Sequence, residues 1–472
     1  MTSPKPSLGN TKLIWICIVT TMLLVCSFLA YAVEDFVVIK NRGIISPLSE
    51  VIARSGSAAD IQAAVDQVVA VAGKGKVHIP AGTFNFVNVG EAWRTVNVPA
   101  GIDILGASSP KDENGFNEGF FDSPSSGTWL TILQMPYDAP EKSYWFKLGD
   151  GSQDPNKPIR FSDIKIQGYR SIDSTSVTKH FGIAIYGVID FRIDHCMFEH
   201  TTHGAINLPL LGQQNLESSG VIDHNKLINV HGFDDLVQSS YSTIAYGISI
   251  GRAYYAADGR VPVPFDATMD ILGKYNTHTV FIEDNYFSKW RHCVTGHHGG
   301  YYVFRHNLVN LDFGHFSLDV RGLRDAEPDR AGGRGCEIYE NVFGPTESTD
   351  EGDAVGIGVY YGVLQTGGGL LTFFNNEIDS SYQFISLYAE DYVDSDIWHL
   401  NDVYIWSQGT WHTAGGWIGY PKGPIDAIAR NLVIDWTRPA YDPTDPVYPN
   451  TDPSWSIAGY KPYTYPHPLT LG

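Results

Sequence analysis

Short runs of alternating apolar and polar residues set the pattern of most of this chain. One motif recurs as VFIEDNYF (280–287), YVFRHNLV (302–309), EIYENVF (337–343) and LTFFNNEI (371–378). Weaker copies are FRIDHCMF (191–198), VIDHNKL (221–227) and AIARNLVI (427–434). Each reads as a strand, a corner and a second apolar pair. The corner position is held by Asn225, Asn285, Asn307, Asn341, Asn376 and Asn431. Asparagine tolerates left-handed backbone at a corner, and asparagines stacked on one corner can ladder through side-chain hydrogen bonds.

A second set of strands lies between these motifs: HFGIAIYG (180–187), HGAINL (203–208), YGISIG (246–251), HFSLDV (315–320), VGIGVYYG (355–362) and QFISLY (383–388). Asn285 and Asn307 stand about 22 residues apart, enough for one turn of three short strands and three corners in a parallel β-helix. Wider spacings fit loops inserted at corners, the longest of them between Asn225 and Asn285. Functional loops are expected there more than in the coils.

An open solenoid end exposes apolar core and strand edge, so a cap is expected. Residues 57–73 supply one. Ser57 is the N-cap with Asp60 three residues on. Ile61, Ala64, Val65, Val68 and Val69 form the apolar stripe, and Gly73 ends the helix. KVHIPAGTF (76–84) then reads as the first strand.

This combination of capping helix, GKVHIPAGTF strand and asparagine-cornered coils resembles the pectin-lyase-like superfamily, pectate lyases and polygalacturonases included, over about residues 50–436. The resemblance implies an all-β, right-handed parallel β-helix. Activity does not follow from it, because one fold hosts many functions.

Composition agrees with a strand-and-turn chain. Of 472 residues, 13% are aromatic, 48 are glycine and only 18% are charged. The net charge of −20 excludes a general basic surface for nucleic acid. It leaves room for an acidic polysaccharide in a local basic groove. The apolar run from Leu13 to Val33, preceded by Lys5 and Lys12 and ending in Ala30-Tyr31-Ala32, reads as a cleaved signal peptide or an uncleaved membrane anchor. Either reading places the remainder outside the cytoplasm, secreted or at the cell surface, with residues 13–33 as the sole membrane contact if uncleaved. The expected organisation is therefore residues 1–33 signal or anchor, 34–436 β-helix and 437–472 a Pro- and Tyr-rich tail. That tail is read as laid over the last coil or as a mobile linker. Cys196, Cys293 and Cys336 form no disulfide framework and read as small buried side chains.

Candidate chemistry concentrates in WRHCVTGHHGGYYVFRHN (290–307). If parity holds, Ile183, Ile206, Ile248, Val294, Leu318, Ile357 and Ile385 point inward. Asn207, Ser249, Thr295, His297, Asp319, Arg321, Tyr360, Ser386 and Tyr388 then point outward. His297, Asp319 and Arg321 share one face on consecutive coils and are the catalytic candidates: a base, a carboxylate and a guanidinium. Arg291, His292, His315, Arg334 and Glu337 are the candidate substrate contacts. His195, His203 and His306 are read as satisfying corner carbonyls.

Asp194, Asp223, Glu283, Arg305 and Tyr339 form another outward file, read as a solvated charged face with Arg305 neutralising a carboxylate. Such a file could also hold calcium. The lyase resemblance implies calcium on acidic residues and an arginine base, a role that would fall to Arg321.

Three functions remain. A polysaccharide lyase needs a cation to neutralise a uronate, a base and an acid; Arg321 with Arg291 or Arg334 would be the cation and His297 the base. A glycoside hydrolase needs two carboxylates, here Asp319 with Asp312 or Glu337. A non-catalytic glycan-binding protein would use Tyr360, Tyr361, Tyr388, Trp406, Trp411 and Trp417.

Overall fold

In the computed structural model, the described residues are 49–123, 126–136, 143–169, 181–201, 204–208, 218–229, 246–251, 279–288, 290, 292–297, 300–310, 318–320, 335–344, 363–366, 369–378, 384–387, 400–406, 417–419, 431–435 and 462–471. All belong to one compact unit, Leu48–Gly472. The apolar run 13–33 lies outside them. Among the described residues no helix is long and apolar enough to cross a membrane.

Among the described residues the strands stack into three parallel sheets of twelve, ten and nine strands, here called sheets 1, 2 and 3. One turn visits them in order: His292–His297 in sheet 2, Tyr301–Arg305 in sheet 1, Leu308–Asn310 in sheet 3, then Leu318–Val320 in sheet 2 again. The architecture is a parallel β-helix. Each sheet adds one in-register apolar file to a continuous core. In sheet 2 Ile183, Ile206, Ile248, Val294 and Leu318 are successive partners, all fully buried. In sheet 1 Ile193, Ile222, Ile282, Phe304 and Ile338 do the same. Each such side chain contributes about 1.5–3 kcal/mol of transfer free energy.

The asparagine ladder is present. Asn307 Oδ1 accepts from the backbone N–H and the side chain of Asn285, at 3.0 and 3.1 Å. Asn341 does the same for Asn307, and Asn376 for Asn341. The left-handed residue, however, is the one before each asparagine: His224, Asp284, His306, Glu340 and Asn375 all have φ of 50–57°, as does His195 before Cys196, which holds the corner one coil earlier. That turn swings the asparagine inward, where its amide replaces corner hydrogen bonds that no strand can supply. Asn431 departs from the motif: it opens the strand Asn431–Asp435, in register with Asp402.

The helix α1 (Ala58–Val71) forms as expected, with Ser57 accepting from the Asp60 N–H. Gly73 follows in left-handed conformation. Ile61, Ala64, Val65 and Val68 enter the core, while Val69 is 42% exposed. The helix packs against Glu50–Ile52, Gly75–His78 and Val96–Val98. Glu50–Ile52 precedes the helix, so KVHIPAGTF is not the first strand. It splits into Gly75–His78 in sheet 1 and Gly82–Asn85 in sheet 3. Beyond Val320, sheet 2 is continued by Leu364–Thr366, with Leu318 beside Leu364. That strand, and not VGIGVYYG, takes the inward place assigned to Ile357, which lies outside the described residues.

Two outer faces carry covers. Over sheet 3, residues 110–130 bring Phe120 and Trp129 onto Met197, Ile228 and Tyr286. Lys226 holds that segment down: its buried Nζ donates to the carbonyls of Phe120 and Ser123 at 2.5 Å and of Ser126 at 2.9 Å. Over sheet 1 lie residues 462–471, whose Tyr463 and Leu469 pack on the cluster of Val221, Phe281, Val303 and Tyr339. The tail therefore crosses the middle strands of the stack. Cys196, Cys293 and Cys336 are free and buried.

Candidate functional site

Sheet 2 carries two of the catalytic candidates, His297 and Asp319, on neighbouring strands. Thr295 pairs with Asp319 and Gly251 with His297. His297 thus stands two residues along its strand from the partner of Asp319, with glycine beside it on the preceding coil. The file Ala184, Asn207, Ser249, Thr295, Asp319 and Gln365 is continuous in register, and its members Ala184, Asn207, Ser249 and Thr295 are buried. Arg291, His315, Arg321 and Arg334 lie outside the described residues, as do His203, Asp312, Tyr360, Tyr361, Tyr388 and Trp411.

Strict alternation fails at the start of these strands. Cys293 and Val294 are adjacent and both belong to the core, as do Ala205 and Ile206. The residue before each pair therefore falls in a separate file: Tyr144, Phe181, Gly204, Tyr246 and His292 are successive partners. His292 is buried with its ring 5.3 Å from that of Tyr246. Glu337 is placed elsewhere. It belongs to sheet 1, is fully buried and accepts a short hydrogen bond from the Tyr301 hydroxyl.

The file expected as a solvated charged face on sheet 1 is the main correction. Asp194, Asp223, Glu283, Arg305 and Tyr339 are in register, but none of their carboxylates or guanidinium groups faces water. Arg160 and His195 close over Asp194, and the C-terminal segment covers the rest of the file. Arg305 donates to the carbonyls of Tyr463 and Thr464 at 2.7 and 3.0 Å, and Arg192 donates to that of Leu469 at 3.1 Å. The His467 N–H donates to Glu283 at 2.8 Å. Tyr465 donates to Asp284 at 2.8 Å, and its ring stacks on His306 at 3.6 Å.

Burial of this kind demands pairing. Arg160 grips Asp194 with two bonds of 2.9 and 2.6 Å, Arg192 grips Asp223 with 3.0 and 2.9 Å, and Arg305 meets Glu283 at 2.8 Å. His195 bridges Asp194 and the Gly115 carbonyl, so its expected carbonyl partner is a loop residue. His306 meets Glu340 at 2.8 Å. Burial raises the Asp194 carboxyl, but the bonds from His195 and Arg160 outweigh it and hold the group well below the usual range. Burial, then the nearby Arg305 charge, pushes His467 down to about 4. With guanidinium groups on Asp194, Asp223 and Glu283, this file does not fit calcium. Among the described residues no cluster of His, Cys, Asp or Glu could hold a metal ion.

No protein-family model matches the chain, and no curated protein matches it. Function therefore rests on the site itself. The strand Tyr144–Leu148 lacks the repeated motif, so no pattern in the sequence singles it out. That strand opens with the aromatic end of the file leading to His292.

Proposed function

We propose that the protein is an exported carbohydrate-active β-helix that cleaves a uronate-containing polysaccharide by β-elimination. The observation that supports this reading most is the register that sets Asp319 beside Thr295, two residues from His297, on adjacent strands of sheet 2. Elimination requires the uronate carboxylate to be neutralised so that the adjacent C–H becomes acidic. It then requires a base for that proton and an acid for the departing oxygen. His297 is the base on intrinsic pKa grounds, and Arg321, the first residue after Leu318–Val320, is the cation. Asp319 would orient the base or the cation. A hydrolase needs a second carboxylate, and the burial of Glu337 on sheet 1 weighs against it in that role.

The same reading carries the right-handed winding, the capping role of α1, the pectin-lyase-like ancestry and export through residues 13–33. The decisive experiment incubates the full chain with pectic, alginate-like and neutral glycans. Ultraviolet absorbance of unsaturated uronate ends is followed alongside reducing ends. Rising absorbance that Asp319→Asn abolishes, at unchanged thermal midpoint, supports the lyase. Reducing ends without absorbance favour a hydrolase, and no product from any uronate glycan refutes the proposal.

A further inference from the structure

A second site lies on sheet 2, at the opposite end of the aromatic file from His292. Tyr144 and Phe181 are register partners on neighbouring strands, and their rings stack at 5.0 Å with 15° between planes. Lys147, on the Tyr144 strand, holds its Nζ 5.6 Å from the Tyr144 ring centre and 6.0 Å from that of Tyr186. Asn207 donates to the Tyr144 hydroxyl at 3.2 Å. Between Lys147 and Asn207 in register stands Ala184. Only a methyl group separates the two polar side chains there, so the face dips. Gly204, next to Phe181 in the aromatic file, also presents no side chain; a Cβ there would come within 2.9 Å of the Phe181 ring.

The charge on Lys147 is unusual for this molecule. The chain carries 52 acidic residues against 32 basic ones. Arg160, Arg192 and Arg305 are neutralised by carboxylates, and the Lys226 ammonium is surrounded by carbonyls. Among the described residues Lys147 has no carboxylate partner; its contacts are the two tyrosine rings. The rings hold the ammonium in place through cation–π attraction without neutralising it. A half-buried cation beside a stacked aromatic pair and an amide matches a pyranose that bears a negative group. The apolar sugar face lies on the ring, the anion on Nζ and a hydroxyl on the amide.

We propose that Lys147, Tyr144, Phe181, Tyr186 and Asn207 form a binding subsite for an anionic sugar residue. The subsite rests on the functional reading above for its polymer. Its Tyr144 and Lys147 lie four strand steps from His292–His297, about 19 Å at the spacing of stacked strands. A polysaccharide chain running along the solenoid would therefore reach both. Its role is to anchor the chain so that a distant uronate meets His297.

The test titrates the full chain, carrying Asp319→Asn to stop turnover, with uronate, sulfated and neutral tetrasaccharides by calorimetry. Lys147→Gln should weaken the uronate tetramer by about tenfold or more, and Lys147→Arg should restore most of it. The neutral tetramer should respond to Phe181→Leu alone. Equal thermal midpoints guard against misfolding. A loss confined to the sulfated tetramer assigns the anion as a sulfate ester and supports the subsite. Unchanged uronate and sulfate affinity in Lys147→Gln, or no binding of either anionic tetramer, overturns it. Product formation by the wild type with Lys147-independent binding would sink the subsite and leave the lyase reading. Lys147-dependent binding without product from any uronate glycan would do the reverse.

Discussion

Arg305 and Glu283 face each other on consecutive coils, guanidinium to carboxylate at 2.6 Å, with neither side chain exposed. Removing one member strands the other charge in the interior. Arg305→Ala should therefore lower unfolding free energy by about 3–5 kcal/mol. Replacing both by methionine should cost much less, because no unpaired charge is left behind. Urea denaturation of the two single variants and the double variant measures this directly. Similar losses in all three would show that packing, not charge pairing, dominates.

His467 gives the C-terminal segment a pH dependence of known sign. Its folded pKa of about 4 lies below the ordinary imidazole value of 6.5. The folded state therefore binds fewer protons than the unfolded chain in that interval, and stability falls as pH falls through it. Wild type should lose stability relative to His467→Gln between pH 6.5 and 4, and the two should run parallel above it. A difference that grows toward alkaline pH would contradict the assignment.

Asn307 is buried and serves three coils at once, accepting from Asn285 and donating to Ile282, Arg305 and Asn341. Asn307→Ala leaves a buried N–H and two carbonyls unserved. A loss of about 3 kcal/mol is expected from calorimetric or denaturant unfolding. Asn307→Asp should do comparable harm, since a carboxylate cannot donate to the Ile282 and Arg305 carbonyls.

Lys226 anchors a segment more than it anchors the core. Lys226→Met keeps the aliphatic stem but abandons the Phe120, Ser123 and Ser126 carbonyls. Limited proteolysis should then cut within residues 110–130 at rates where wild type stays intact. The main unfolding transition should shift by a smaller amount. Cleavage unchanged from wild type would mean that Phe120 and Trp129 hold the segment alone.

The coils were legible because their signal is local. Alternation in FRID, VFIE and YVFR fixes which residues enter the core, and the recurring asparagine marks the corner. What stayed hidden depends on residues far apart in sequence. Asp194, Asp223 and Glu283 look like a wet face in any window, because what covers them lies far away: Arg160 on Asp194, and residues 462–471 on Arg192 and Glu283. The paired inward residues Cys293 and Val294 break parity, so His292 joins an aromatic file that strict alternation could not produce. Lys147 escaped notice because YWFKL matches no repeat. That His297 and Asp319 fall on adjacent strands was readable because Val294 and Leu318 set the register.

The position of residues 462–471 also has a consequence for how the chain is made. Each coil leans mainly on the one before it, so coils can stack in the order in which they are synthesised. Arg305 must wait for a carbonyl 158 residues downstream, and Arg192 for one 277 residues downstream. The wall holding these arginines stays wet until residues 462–471 arrive. The coils can therefore be complete while the wall of arginines and carboxylates on sheet 1 is still open to water.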